Sequence, residues 1–352
     1  MISKLAISNK VSHQRLVLGA MAFLLLVLGV LSLSMGAFPI PLSKVMQVIF
    51  GEWMGSDGVS LQEKNVLLQI RLPRLLLAML VGGALGIAGA ALQGLFRNPL
   101  VEPGLIGVSS GSALFAVIFI VFGSSLPFLS ALGKFGLVGF AFIGGLLNTF
   151  LVYRLSSQAG KTDISLLILA GVALNALAGA LIGLSIFYAD DAALRNFTFW
   201  SLGDVGGANW EKVLLMLGFS ILPVGLIIGQ HRALNALAIG ESEAFHMGVD
   251  VQKTKLLILV GSALVVGTAV ALTGTIGFVG LVVPHLLRIL FGADHRLVIP
   301  GSFLAGAILL TMADLLARTI VAPAEMPIGI ITAILGAPFF IWLLINVKQI
   351  RT

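Results

Sequence analysis

ALNALAIGESEAFHMGVD, residues 233–250, is a polar, amphipathic interruption in a chain that is otherwise almost uniformly apolar. Its reading as structure outside a membrane decides the fold. Two short helices fit it. Leu234, Leu237, Ala238 and Ile239 precede Gly240, and Glu241, Glu243, Ala244, Phe245 and Met247 precede Gly248. Both glycines are natural helix stops, and Glu241 opens the second helix, where the positive end of the helix dipole favours a carboxylate. Such a hairpin either lies on lipid headgroups or offers a soluble partner a surface to dock on.

Around it the chain has 352 residues, 58% hydrophobic and only 10% charged, with 42 glycines and a mean hydropathy of +1.09. That composition defines a polytopic membrane protein and excludes a soluble globular domain. The absence of cysteine removes disulfides, iron–sulfur clusters and thiolate metal sites. A net charge of +6 fits basic loops on one membrane face better than a nucleic-acid surface.

Lys4, Lys10 and Arg15 precede an apolar run from Leu16 to Gly36, long enough to span and longer than the core of a signal peptide. The polar stretch from Ala37 to Gln69 follows, with Glu52, Trp53, Asp57 and Glu63, and reads as an outer loop with some helix. Further spans are expected at 72–94, 104–122, 135–155, 164–187, 212–229, 255–274, 277–291, 299–319 and 328–346, giving ten in one transmembrane domain over 1–352. With both termini cytoplasmic, 13 of the 21 lysines and arginines fall inside, which also puts the hairpin in the cytoplasm. The spans at 104–122 and 277–291 are short, as interrupted or tilted helices would be.

Gly82, Gly86 and Ala90 stand four apart, and Gly83, Gly86 and Gly89 three apart, so the second span predicts close backbone packing. PGLIGVSSGSAL (103–114) and TGTIGFVGLVVP (273–284) are Gly-punctuated junctions in the two halves. The topology expects them at opposite membrane faces, as an inverted repeat would place them.

Gly160-Lys161-Thr162 has Leu155 where a phosphate-binding loop needs its first glycine, and it follows a membrane span instead of a strand. The five histidines show neither HExxH nor paired ligand spacing, and no Ser/His/Asp set shares one depth, which argues against an intramembrane enzyme. Asp314 and Arg318, four apart, either mark an ion path or simply pair with each other. Gln93, Asn148, Asn175 and Thr268 either line a wet path or bond helix to helix. A mid-membrane acid chain for an ion-coupled carrier is missing.

RLPRLL (71–76), FRNPLVEPGLIGVSSG (96–111), LAGVALN (169–175), LAIGESEAFHMGVD (237–250), GFVGLVVPHLLR (277–288) and EMPIGIITAILGAPFFIWLL (325–344) run in order over nearly the whole chain. In these stretches it resembles the permeases of type II ATP-binding-cassette importers, which move ferric siderophores, haem and cobalamin. The resemblance implies an all-α, ten-span fold in a multi-pass cell-membrane subunit. It also implies a second permease copy, two cytoplasmic ATPases carrying the ATP, and an extracytoplasmic binding protein, with no cofactor or metal on this chain. The hairpin becomes the ATPase-coupling surface, through Leu237, Ala238, Gly240, Glu241, Ala244, Met247 and Gly248. Exposed guanidiniums of Arg71, Arg74 and Arg318 would dock acidic residues of the binding protein. Asn98, Pro99 and Leu100, with Asp163, Ile164 and Ser165, would form a cytoplasmic gate. LRNFTFWSLGDVGGANW (194–210) is most similar to haem permeases, making haem the expected substrate, ferric siderophore the next and cobalamin a third. Asp204 replaces the usual serine there. With Asp190 and Asp191 it adds negative charge that haem propionates would meet at the entrance, offset in part by Arg195.

Overall fold

The computed structural model describes residues 2–36, 38–51, 58–123, 132–158 and 160–350, so Ala37, Glu52, Trp53 and Asp57 lie outside the described residues. Helix α1 (Ile2–Ser34) enters the first span, and α2 (Leu42–Ile49) lies in the loop after it. Helix α3 (Leu61–Asn65) runs through a π-helical turn, Val66–Arg71, into α4 (Leu72–Leu95). A 3-10 turn at Pro103–Ile106 precedes α5 (Val108–Phe122), and α6 (Gly136–Ser156) is followed by a two-stranded ribbon, β1 (Ser157–Gln158) and β2 (Lys161–Thr162). The chain continues through α7 (Ile164–Phe187), α8 (Asp191–Ser201), α9 (Trp210–Gly229), α10 (His231–Leu237) and α11 (Glu241–His246). It ends with α12 (Val251–Thr273), α13 (Val279–Phe291), α14 (His295–Ala317) and α15 (Ile328–Ile350).

Among the described residues, 7 helices are long and apolar enough to cross a membrane, and three shorter apolar helices, α5, α13 and α15, complete the ten expected spans. The boundaries follow local chemistry. Asp163, Asp190, Asn209 and Asp250 each cap a helix by accepting a backbone N–H with the side chain. Ser60 and Glu63 form a capping box that starts the second span's helix at Leu61, ahead of the expected 72. In the π-helical turn the Leu68 carbonyl accepts the indole N–H of Trp210 at 3.0 Å.

Helices α4, α12 and α14 form the buried centre, whereas α1 and α7 turn most of their apolar surface outward. A side-chain carbon on Gly82 would run into the carbonyl of Gly306, and one on Gly86 into that of Ser302, so α4 and α14 touch backbone to backbone. Gly83 faces Phe303, and Gly89 lies against the carbonyl of Gly280 in α13. The expected glycine stripe is therefore the seam of the molecule, where close dispersion contact replaces the hydrophobic drive that lipid cannot supply.

Two helices are interrupted. Residues 96–107 fold back before α5 starts at Gly107 (φ +85°), and residues 274–278 separate α12 from α13, with Phe278 at φ +68°. The two junctions, expected to enter from opposite faces, reach each other inside the body. The Glu102 carboxylate accepts the Phe278 N–H at 3.1 Å, and Gly280 abuts Pro103. Both segments re-enter the body, and exposed backbone inside it needs protein partners. Three amides provide them. Gln93 on α4 donates to Val101 O (3.3 Å), Asn175 on α7 to Gly104 O (3.1 Å) and Asn148 on α6 to Gly107 O (2.7 Å). Thr268 bonds Leu264 O within its own helix, so three of the four polar mid-span residues act as internal fasteners.

Candidate functional site

Helices α10 and α11 form the hairpin read from residues 233–250, with Gly248 at φ +83° as its second stop. Leu234, Ala236, Leu237 and Ala244 are buried against the body. Asn235 fixes the hairpin laterally: its amide donates to Asp294 at 2.9 Å, and its oxygen accepts the His295 N–H at 2.9 Å. Ala238, Ile239, Phe245, Met247 and Gly248 are left exposed, with Ile239 and Phe245 at 67% and 69%. A tight group of large apolar side chains on a polar hairpin is the surface chemistry of a docking site. The coupling set thus divides. Ala238, Met247 and Gly248 face outward, whereas Leu237, Gly240 and Ala244 are buried, so they seat the hairpin and present little to a partner. Ile239 and Phe245 escaped the sequence assignment, although their apolar size next to the two glycines was visible.

Beneath the hairpin, the Lys255 ammonium is 3% exposed and bonds the Glu241 carboxylate and the Thr162 carbonyl, each at 2.8 Å. Thr162 N–H donates to Gln252 Oε1 at 2.9 Å. The next residue, Asp163, caps α7. Asp163 and Ser165 are exposed and Ile164 is half-buried, while Asn98, Pro99 and Leu100 are exposed on the other loop. That loop is shaped by Arg97 at φ 49° and by the Leu100 N–H bonded to Asn98 Oδ1 at 2.9 Å. The 3-10 turn that follows this loop packs on α7, where Gly171 lies against Leu105 O.

At the opposite face, Arg71, Arg74 and Arg318 gather as expected, but all three are buried, at 6–7% exposure. This corrects the expectation of exposed guanidiniums. Arg71 donates to Leu33 O (2.6 Å), Ser34 O (3.0 Å) and Phe38 O. Arg74 binds Asp314 at 2.8 Å and Glu325 at 2.9 Å, and Arg318 reaches Asp314 at 3.5 Å and Ser32 Oγ at 2.7 Å. Asp314 and Arg318 do pair, within a larger cluster. A side chain on Gly36 would touch both Arg71 and Arg318, so three cations and two carboxylates share this corner. The three cations outnumber the two carboxylates, and Glu325 is the half-exposed member of the cluster.

Beside the cluster is a cavity of about 340 Å³ walled by Phe199, Trp200, Leu272 and Met326, with Asp204, Lys212 and Glu325 at its polar end. Asp190 and Asp204 are both exposed, and each accepts a local backbone N–H. Asp190 accepts the Ala193 N–H at 2.7 Å, and Asp204 accepts the Gly206 N–H at 2.7 Å.

Ten apolar helices with re-entrant breaks, a hairpin bearing exposed apolar residues at one end and a charged cluster at the other are the architecture of a transport permease. The chain belongs to the FecCD transport family, whose pattern it matches over residues 24–346. It is 46% identical over 339 residues to a hemin transport system permease protein from Yersinia pestis, covering 96% of this chain and 98% of that protein. It is 44% identical to an uncharacterized ABC transporter permease protein of Bacillus subtilis, covering 90% of each. With a vitamin B12 import system permease protein of Citrobacter koseri it shares 40% identity, covering 85% and 87%. A solved structure described as an inward-facing conformation of a metal-chelate type ABC transporter superposes with a TM-score of 0.81 at 33% identity, covering 94% of this chain and 99% of that one. The chain is therefore a multi-pass permease subunit of an ATP-driven importer, and ATP hydrolysis resides on a separate subunit.

Proposed function

We propose that this permease carries haem across the cell membrane, receiving it from an extracytoplasmic binding protein at the arginine face and releasing it at the hairpin face. The observation that carries this reading is the 46% identity with a hemin permease, maintained over 96% of the chain. The acidic groups keep their charge at this end, although Asp190 caps α8 and Asp204 holds a turn, so Lys212 and Arg195 are the cations left to meet haem propionates. The aromatic wall of Phe199 and Trp200 with Lys212 at its edge suits a flat apolar ring bearing carboxylates. Vitamin B12 permeases at 40% identity make a corrinoid the second reading, and a ferric siderophore the third.

The same reading makes the hairpin face cytoplasmic, with both termini on that side, in keeping with the excess of basic residues there. Each of two permease copies presents Ile239, Phe245 and Met247 to one ATPase, which alone binds nucleotide. The loops at Asn98–Leu100 and Asp163–Ser165 close the cytoplasmic end of the path. A binding-protein carboxylate completes the arginine cluster, taking the place of Glu325 on Arg74. Proteoliposomes holding the permease, its ATPase and its binding protein test the substrate directly. Haem uptake at fixed ATP, persisting after a proton uncoupler is added and exceeding that of cobalamin and a ferric siderophore, is the expected result. Uptake abolished by the uncoupler and indifferent to the ATPase would instead mark an ion-coupled carrier.

A further inference from the structure

The ATPase-facing hairpin and the loop read as a gate belong to different parts of the chain, and one side chain touches both. Lys255 lies in the second turn of α12. Its ammonium is buried at 3% exposure and reaches the first residue of α11, Glu241, and the last residue of β2, Thr162, at 2.8 Å each. Thr162 is held at its other backbone group as well, through Gln252 one turn earlier on α12. The residue after Thr162 is Asp163, whose carboxylate caps α7 by accepting the Leu166 N–H at 3.0 Å.

An ammonium buried this deeply is costly without acceptors, so its two contacts do not open independently. A lysine stem has four carbons, and here both acceptors lie within one hydrogen bond of its tip. A displacement of Glu241 must therefore carry Thr162 along or break a charged bond. Gln252 gives the ribbon a second attachment to α12, so the ribbon, the cap of α7 and the head of α11 move as one piece. We propose that Lys255 is a positioning residue that transmits movement of the hairpin to the Asp163 end of α7. This rests on the hairpin being the ATPase-coupling surface.

The absence of cysteine makes the motion measurable, since Lys161→Cys on the exposed tip of the ribbon supplies a single thiol. The permease carrying it is reconstituted with its ATPase, with and without ATP, and four quantities are read: ATPase association, ATP hydrolysis, uptake per ATP and the rate of thiol labelling. In Lys255→Met, association and hydrolysis are expected within about twofold of the parent, whereas uptake per ATP falls about tenfold and the ATP-dependent change in labelling disappears. Lys255→Arg, which retains charge and donors, restores both within about threefold; a purely structural role would not couple that rescue to the labelling change. The double variant Lys255→Met/Glu241→Ala removes both charges together, leaves no unpaired buried ammonium, and is the one to read if Lys255→Met does not accumulate. Unchanged uptake per ATP together with an intact labelling change, in Lys255→Met or in the double variant, overturns the proposal. Phe245→Asp separates the two layers of the argument. Retained ATPase association in that variant defeats the coupling-surface reading, whereas the relay is judged on variants that still associate.

Discussion

The Glu102 carboxylate accepts the backbone N–H of Phe278 at 3.1 Å, which fastens the loop leaving α4 to the last residue of the break before α13. Phe278 precedes a helix of 13 residues, so the carboxylate also sits at the positive end of a helix dipole. Its own backbone is left-handed at φ 68°, and its ring fills the space that Gly336 of α15 leaves open. Removing the acceptor, as in Glu102→Ala, leaves a half-buried N–H unpaired and is expected to cost about 1 kcal/mol. Glu102→Gln keeps an acceptor oxygen and should cost less than half of that. Thermal unfolding in one detergent, compared across the three proteins, checks the order.

The seam between α4 and α14 gives a sharper contrast. Gly82→Val and Gly86→Val place carbon where the carbonyls of Gly306 and Ser302 already stand, and neither variant should accumulate in the membrane. Gly179→Ala and Gly218→Ala meet nothing within 4 Å and should unfold within about 1 kcal/mol of the parent. Membrane yield and unfolding midpoints together report the difference.

At the charged rim, Asp314 offsets Arg74 and Arg318 in a buried setting, with its side chain 2% exposed. Asp314→Asn removes that charge and leaves two guanidiniums facing each other, at an expected cost of about 3–5 kcal/mol. Glu325 is half-exposed and behaves differently. Glu325→Gln removes the internal competitor for Arg74 and should tighten binding-protein docking about threefold at low salt, fading as salt rises. Unchanged affinity in that variant would leave the arginines as an internal brace only.

On the hairpin, Phe245→Asp and Ile239→Asp alter exposed side chains, so the permease should still insert and unfold normally while ATPase co-purification fails. Gly240→Pro acts by another route. Gly240 has φ 161°, which proline cannot adopt, so the angle between α10 and α11 must change. Ala244→Leu forces side-chain volume into a site with 0% exposure and should unseat the hairpin from its own body. A pull-down with the ATPase, beside an unfolding scan, distinguishes these causes.

Much of this was legible because its signals are local. Apolar runs fix the spans, Asp163 and Asp250 stand one residue before the helices they cap, and the spacing of Gly82 and Gly86 marks a helix face. The misreadings share one cause, which is partners distant in sequence. Arg71 looks like a free rim cation until the carbonyls of Leu33, Ser34 and Phe38 fold over it. Gln93 and Asn175 look like pore lining until the 101–107 loop turns back into the body and offers them carbonyls. Lys255 reads as a basic residue at a span's end, because nothing local says that Thr162 will meet it. Which junctions touch was unreadable for the same reason, since a hydropathy profile orders segments along the membrane normal and is silent about the return of a loop.

The seam also sets an order of events during synthesis. The groove at Gly82 and Gly86 emerges early, but the backbone that fills it, around Ser302 and Gly306, follows roughly 220 residues later. At about 5–20 residues per second the groove waits on the order of 10–45 s for its partner. Through that interval α4, the most deeply enclosed of the seven long spans, must be accompanied by lipid, by earlier helices or by the insertion machinery. A ribosome stalled between α12 and α14 would release a chain whose central helix has no mate.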